Sequence, residues 1–379
     1  MKRKLLILFG LILFLVSFSL ADDAWLADGS TRRQKITTQV ANIDGDLTWF
    51  PLYVYIDPSA TPGGATMTEA ANDGTDIRFT TSDGQTLLAY ERCYWNGGGG
   101  GAVTAHFFVS KTGWVIDADG APAATYIYVY YGGGGADGQN ITAVWDGDFM
   151  AVWHLDEAGN PYLDATSNNN DSSAGTYPDQ VNGKIYKGQD FNGTDDYIDV
   201  DNAASLQKVD DDNDWTISLW LNSDDATAQS YFLFKGSDWS LDVGDGNNDF
   251  RFQERSGFSM SITTDNPIAA NSTWYYAVIK APAGDLTDID YFVNAVARAD
   301  NADVAGYDGT GSDLYIGRNA AATWAGLLDE IRISDIERSD AWGKFEYYNM
   351  NEADNELTWA AEESEPAGDS FIPKVIIMQ

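Results

Sequence analysis

Two histidines, His106 and His154, and a single cysteine, Cys93, are the only imidazoles and the only thiol in 379 residues. A Ser-His-Asp triad needs a nucleophile presented on a sharp turn, and no Gly-x-Ser-x-Gly string occurs. Both histidines lie in strand-like text, with His154 on the same face as Val152, and Cys93 sits between Arg92 and Tyr94. They read as structural residues, and zinc is not expected from so few nitrogen and sulfur donors. No catalytic residue is assigned.

Oxygen donors are abundant instead. Of 58 acidic residues, 46 are Asp and 12 are Glu, against 22 basic residues and a formal net charge of -36. The denser runs, Asp195, Asp196, Asp199 and Asp201 and then Asp210 to Asp214, lack the Asp-x-Asp-x-Asp-Gly spacing with a distal Glu that an EF-hand requires. They read as solvated loops. Asp329 differs. In Leu327-Asp329-Ile331-Ile333 strict alternation places it on the apolar face of a strand. A buried, unpaired carboxylate costs several kcal/mol, so this one needs a partner.

The elements that would hold these residues are strands. Glu favours helix interiors, whereas Asp favours turns and caps. An Asp-heavy chain with 37 Gly, 13 Trp, 20 Tyr and 17 Phe reads as short strands joined by many turns. Trp215 to Asn222 alternates cleanly, with Ile217, Leu219 and Leu221 on one face and Thr216, Ser218, Trp220 and Asn222 on the other. The glycine runs Gly97 to Gly101 and Gly132 to Gly135 read as flexible loop tips. No helix start and Lys follow them, so they are not phosphate cradles. Ser339 reads as the N-cap of a short helix running to about Tyr348.

Lys2, Arg3 and Lys4 precede an apolar run from Leu5 to Leu20, and Ser19 and Ala21 place small residues at its end. This is the layout of a cleaved secretory signal peptide. Removal of residues 1–21 would take the formal charge from -36 to -39 by deleting three basic groups. The expected location is secreted, periplasmic or cell-surface. So negative a chain repels phosphate, which excludes nucleic acid as a partner, and no later stretch is apolar enough to insert in a membrane. A lone cysteine allows no intrachain disulfide. The expected division is a signal peptide over 1–21, a β-rich module over 22–146, a second β domain over 147–360 and a tail over 361–379.

The second domain resembles the LamG-like members of the concanavalin A-like lectin and glucanase superfamily. The matching residues run in order: Ala151 to Glu157, Asp164 to Asn170, Phe191-Asn192-Gly193, Asp196-Tyr197-Ile198, Trp215 to Trp220, Trp274-Tyr275-Tyr276, Leu328 to Ser334, and Arg338-Ser339 with Trp342. Residues 22–146 are similar to a secreted module of no known activity, domain of unknown function 2341. That likeness rests on Arg33 to Ile36, Phe50-Pro51, Asp76 to Phe79, Leu87 to Glu91, Trp95 and Tyr128 to Gly132, with Gly133 where that family usually has Asn.

The resemblance implies an all-β chain: a β-rich module followed by a jelly-roll sandwich. It also implies a structural Ca²⁺ on Asp329, with Asp164 and the carbonyl of Gly193 as further ligands; oxygen donors suit that ion. Turn amides are the competing partners for such a carboxylate. Related glucanases carry Glu-x-Asp-x-Glu on one strand, and no such string occurs here. The expected function is therefore non-catalytic binding or adhesion, with a polysaccharide or a surface protein or glycoprotein as partner. Trp220, Tyr231 and Trp239 are the candidate sugar-stacking rings. The alternatives are a structural surface component with no soluble ligand and, less favoured, a glycoside hydrolase.

Overall fold

The computed structural model describes residues 24–59, 66–119, 121, 124–244, 246, 248–255, 259–304, 311–319, 322–351 and 356–366. The expected signal peptide and residues 367–379 lie outside this set. The fold is all-β: a β-rich first module followed by a jelly-roll sandwich. One α-helix, Asp340–Asn351, occurs among the described residues.

The first module is an antiparallel sheet. Its order is Leu357–Trp359, Arg32–Thr38, Tyr126–Tyr131, Arg78–Thr80, Leu87–Gly98, Gly101–Ser110 and Leu52–Ile56, with Glu363–Ser364 also paired to Arg32–Thr38. One edge of this sheet therefore comes from residues beyond the sandwich. Ile36 pairs with Trp359, and Arg33 pairs with Glu363. The segment read from sequence as the end of the second domain and the start of a tail returns to the first module. It does so because Leu357 and Trp359 are apolar enough to be buried there. The glycine run at the hairpin tip is pinned: Gly99 N–H donates to the Ala70 carbonyl at 2.7 Å and Gly100 N–H to the Thr68 carbonyl at 2.7 Å. Gly97 to Gly100 all have positive φ, and a Cβ on Gly98 would collide with the Ala71 carbonyl.

The jelly roll stacks two sheets. One, here the covered sheet, runs Asp179–Asn182, Lys187–Asn192, Ala325–Ser334, Trp215–Ser223, Tyr275–Ala281, Asp290–Val293 and Val296–Arg298, with Phe149–Trp153 joined to Ala325–Ser334. The other, the open sheet, runs Ser172–Thr176, Tyr197–Val200, Leu314–Ile316, Ser230–Lys235, Trp239–Gly244, Asp249–Glu254, Met260–Thr263 and Asp300–Asp303. Ile217, Leu219 and Leu221 face the core between them, as alternation requires, alongside Phe232, Trp239 and Phe252.

The opposite face of Trp215–Ser223 is buried as well. Trp220, Tyr276, Val278 and Phe292 join a second core with the helix residues Trp342, Phe345 and Met350 and with the first module. Ser339 caps the helix, its hydroxyl accepting from Trp342 N–H at 3.2 Å. The helix wedges between the modules: Phe50 lies 4.9 Å from the Trp342 ring, and Asn349 bonds both the N–H and the carbonyl of Tyr53. Beside it, Arg338 makes a bidentate pair with Asp146, both contacts at 2.7 Å.

Candidate functional site

Two β-bulges, one in each module, re-aim side chains into the seam between them. In Ala325–Ser334 the register slips so that Trp220 pairs with Asp329 while Ser218 pairs with Arg332. The extra residue is Glu330, held at φ +52°. Leu328, Ile331 and Ile333 then face the sandwich core, whereas Asp329, Glu330 and Arg332 face the first module. In Leu87–Gly98 the register slips between Arg92 and Tyr94, leaving Cys93 as the unpaired residue.

Arg332 anchors this seam. Its guanidinium donates to Glu330 at 2.8 Å and to Glu346 at 2.9 Å, and it lies about 5 Å from the Phe108 and Trp145 rings. Glu346 also accepts from the Tyr276 hydroxyl at 2.8 Å. His154 stacks on Phe108, with Nδ1 2.7 Å from Glu330 Oε1. Burial disfavours a charged His154, but Glu330 and Glu91 lift its pKa well above the usual imidazole range. Burial likewise works against Glu330, yet His154 and Arg332 hold it below the ordinary carboxylate range. Burial and the Glu330 charge push Asp329 well above that range.

Asp329 is partnered through one oxygen, while its Oδ1 makes no hydrogen bond. Its Oδ2 accepts from the Lys184 and Ile185 amides at 2.7 and 2.8 Å, clamping the hairpin turn between Asp179–Asn182 and Lys187–Asn192. An added Cβ at Gly183 would run into this carboxylate. Asp164 is a second turn cap: its Oδ1 accepts from the Val152 and Thr166 amides, and its Oδ2 from the Asn170 amide and the Thr166 hydroxyl, all at 2.8–3.0 Å. Gly193 lies against Ala325, four residues from Asp329 and thus about 13 Å along the strand. Of the expected ligand trio, Gly193 therefore lies away from Asp329, turn amides take up Asp164 and the Oδ2 of Asp329, and the Asp329 Oδ1 is buried without a hydrogen bond.

The expected sugar-stacking rings are also corrected in part. Trp220 is fully buried against Tyr276 and Tyr347, and Trp239 packs on Phe252 in the sandwich core. The polar strand face that carries Trp220 is covered by the helix, which no local pattern in that strand encodes. Tyr231, 6% exposed, lies on the outer face of the open sheet.

There it ends a row of four rings. Tyr197, Tyr315, Phe234 and Tyr231 follow one another at centroid spacings of 6.2, 6.3 and 6.4 Å. The first three are partly exposed. Arg318 covers the Tyr197 end at 3.1 Å from its centroid, and Arg255 lies within 6 Å of Phe234 and Tyr231. Next to Tyr197 and Arg318 opens a polar groove of about 830 Å³ whose walls include Asp195, Asp225, Gln229 and Asn319. The Thr227 hydroxyl and amide hold Asp225 below the usual carboxylate range. The signal for the row was present in sequence as Tyr197, Tyr315 and Phe234 at outward positions of their strands.

Among the described residues no helix is long and apolar enough to cross a membrane. No curated protein sequence matches the chain significantly. Among solved structures, it is similar to domain 4 of AbnA, an extracellular arabinanase from Geobacillus stearothermophilus, in complex with arabinotriose. The identity is 17%, the match covers 52% of this chain and 97% of that domain, and the TM-score is 0.41. It is also similar to the binding domain of Paraclostridial Mosquitocidal Protein 1 (15% identity, 53% and 52% coverage, TM-score 0.44). A third is the receptor binding domain of botulinum neurotoxin C/D mosaic serotype (14% identity, 53% and 51% coverage, TM-score 0.41). The chain spans about half the length of those two toxin fragments. Residues 191–342 match the family model of the concanavalin A-like lectin/glucanases superfamily, a match that leaves the first module outside it.

Proposed function

We propose that the chain is a secreted, non-catalytic binding or adhesion protein that recognises a polysaccharide, or the glycan of a surface glycoprotein, through the outer face of the open sheet. The observation that carries this reading is the row Tyr197, Tyr315, Phe234 and Tyr231, flanked by Arg318 and Arg255 and continuous with the polar groove. Flat amphipathic rings supply apolar contact with little entropy to lose, while the arginines and amides orient hydroxyl groups. The superfamily match over residues 191–342 supports a lectin-type sandwich.

A glycan array probed with the intact protein tests the proposal. Tyr315→Ala and Arg318→Ala should each weaken the signal at least tenfold with an unchanged melting temperature. An array that stays blank would turn the reading toward a structural surface component, and reducing-sugar release from polysaccharide would turn it toward a hydrolase.

A further inference from the structure

Cys93 and His154, 61 residues apart and on different modules, meet in the seam together with Glu91. One donor atom from each, the thiol sulfur, an imidazole nitrogen and a carboxylate oxygen, lies within 4.8 Å of the others. His154 is 8% exposed, and its Nε2 makes no hydrogen bond, although Glu91 Oε2 is 3.2 Å away in a poor direction. The other ring nitrogen, Nδ1, is engaged by Glu330, which Arg332 fixes in turn. A carboxylate behind a histidine in this way orients the free nitrogen toward a metal and raises its basicity. Glu91 is steadied by the Trp145 indole N–H at 2.9 Å. A cavity of about 320 Å³, lined by all three donors and by Asp156, opens onto the site.

We propose that Glu91, Cys93 and His154 form a transition-metal site that takes Zn²⁺, with the fourth position open to the cavity. Mixed sulfur, nitrogen and oxygen donors suit zinc, and three protein ligands with an open position is the arrangement zinc accepts for water or a further ligand. Three carboxylates, Glu91, Glu330 and Asp156, surround the site against the two basic groups Arg332 and His154, so a divalent cation would offset a local excess of negative charge. Binding displaces one proton from the Cys93 thiol and any proton on His154 Nε2, and no electrons move. Because the ligands come from both modules, the ion would also tie the seam together.

Titration of the intact, metal-stripped chain with Co²⁺ and with Zn²⁺ tests this. The expected result is one equivalent of Co²⁺ with a thiolate-to-cobalt charge-transfer band, displaced by Zn²⁺, and a rise in melting temperature on Zn²⁺ addition. Cys93→Ser should abolish the band, and Glu91→Gln should weaken Zn²⁺ binding at least tenfold in competition with a chromogenic chelator. The Co²⁺ spectrum of the unsubstituted chain stands even where a variant fails to fold. Absence of the band in the folded protein, or Ca²⁺ competing as well as Zn²⁺, would overturn the proposal. So would Cys93→Ser and His154→Gln variants that keep full Zn²⁺ affinity.

Discussion

Replacing Arg332 by leucine would test whether the seam is a true charge network. The guanidinium is 2% exposed and serves two carboxylates, Glu330 at 1% and Glu346 at 3% exposure. Leucine removes the guanidinium and leaves both acids without their shared cation. Glu330 keeps only His154 and Glu346 only the Tyr276 hydroxyl among the partners named above. Removing one partner of a buried ion pair costs about 3–5 kcal/mol, because the remaining charge is buried and uncompensated. Urea unfolding, followed by tryptophan fluorescence and by far-ultraviolet circular dichroism, reads that loss as a lower midpoint. The triple variant Arg332→Leu, Glu330→Gln, Glu346→Gln removes the stranded charges and should recover most of the stability. A loss under about 1 kcal/mol for Arg332→Leu would refute the reasoning, since it would mean these charges are solvated.

Other outcomes follow from the same contacts. Asp329→Ala should cost about 1–3 kcal/mol by leaving the Lys184 and Ile185 amides unpaired, while Asp329→Asn, which keeps an acceptor, should cost less; thermal unfolding separates them. Trp359→Ala should cost about 3 kcal/mol and raise hydrogen exchange in Arg32–Thr38, because Trp359 is buried on that strand. His106 is pushed down to about 4 by burial among Tyr53, Tyr55, Tyr94 and Tyr186, with only Glu330 raising it. The unfolded chain therefore binds the extra proton between pH 6.5 and 4. Stability should fall as pH drops through that window, by about 3 kcal/mol in full, and His106→Gln should flatten that component of the pH profile.

The alternation of Trp215–Ser223, the Ser339 cap and the β-rich modules were legible because each depends on residues a few positions apart. The burial of Asp329 was legible too, but its reason was not. Alternation put it on the sandwich face with Ile331 and Ile333, whereas the bulge at Glu330 turns it to the opposite face. A single inserted residue flips every side chain beyond it, and no period-two pattern announces where it sits. Trp220 and Trp239 failed as surface rings for a related reason: what covers a face is decided by another part of the chain, here the helix or the second sheet. The pairing of Leu357–Trp359 with Arg32–Thr38 and the meeting of Cys93 with His154 are long-range contacts and leave no local signature.

The most direct test of the binding account is calorimetric titration of a polysaccharide selected from the array into the intact protein and into Tyr315→Ala and Trp239→Ala. The account predicts that Tyr315→Ala loses affinity at least tenfold without a change in melting temperature, while Trp239→Ala lowers the melting temperature and, where still folded, binds normally. Undiminished binding by Tyr315→Ala, together with lost binding by a fully stable Trp239→Ala, would contradict it.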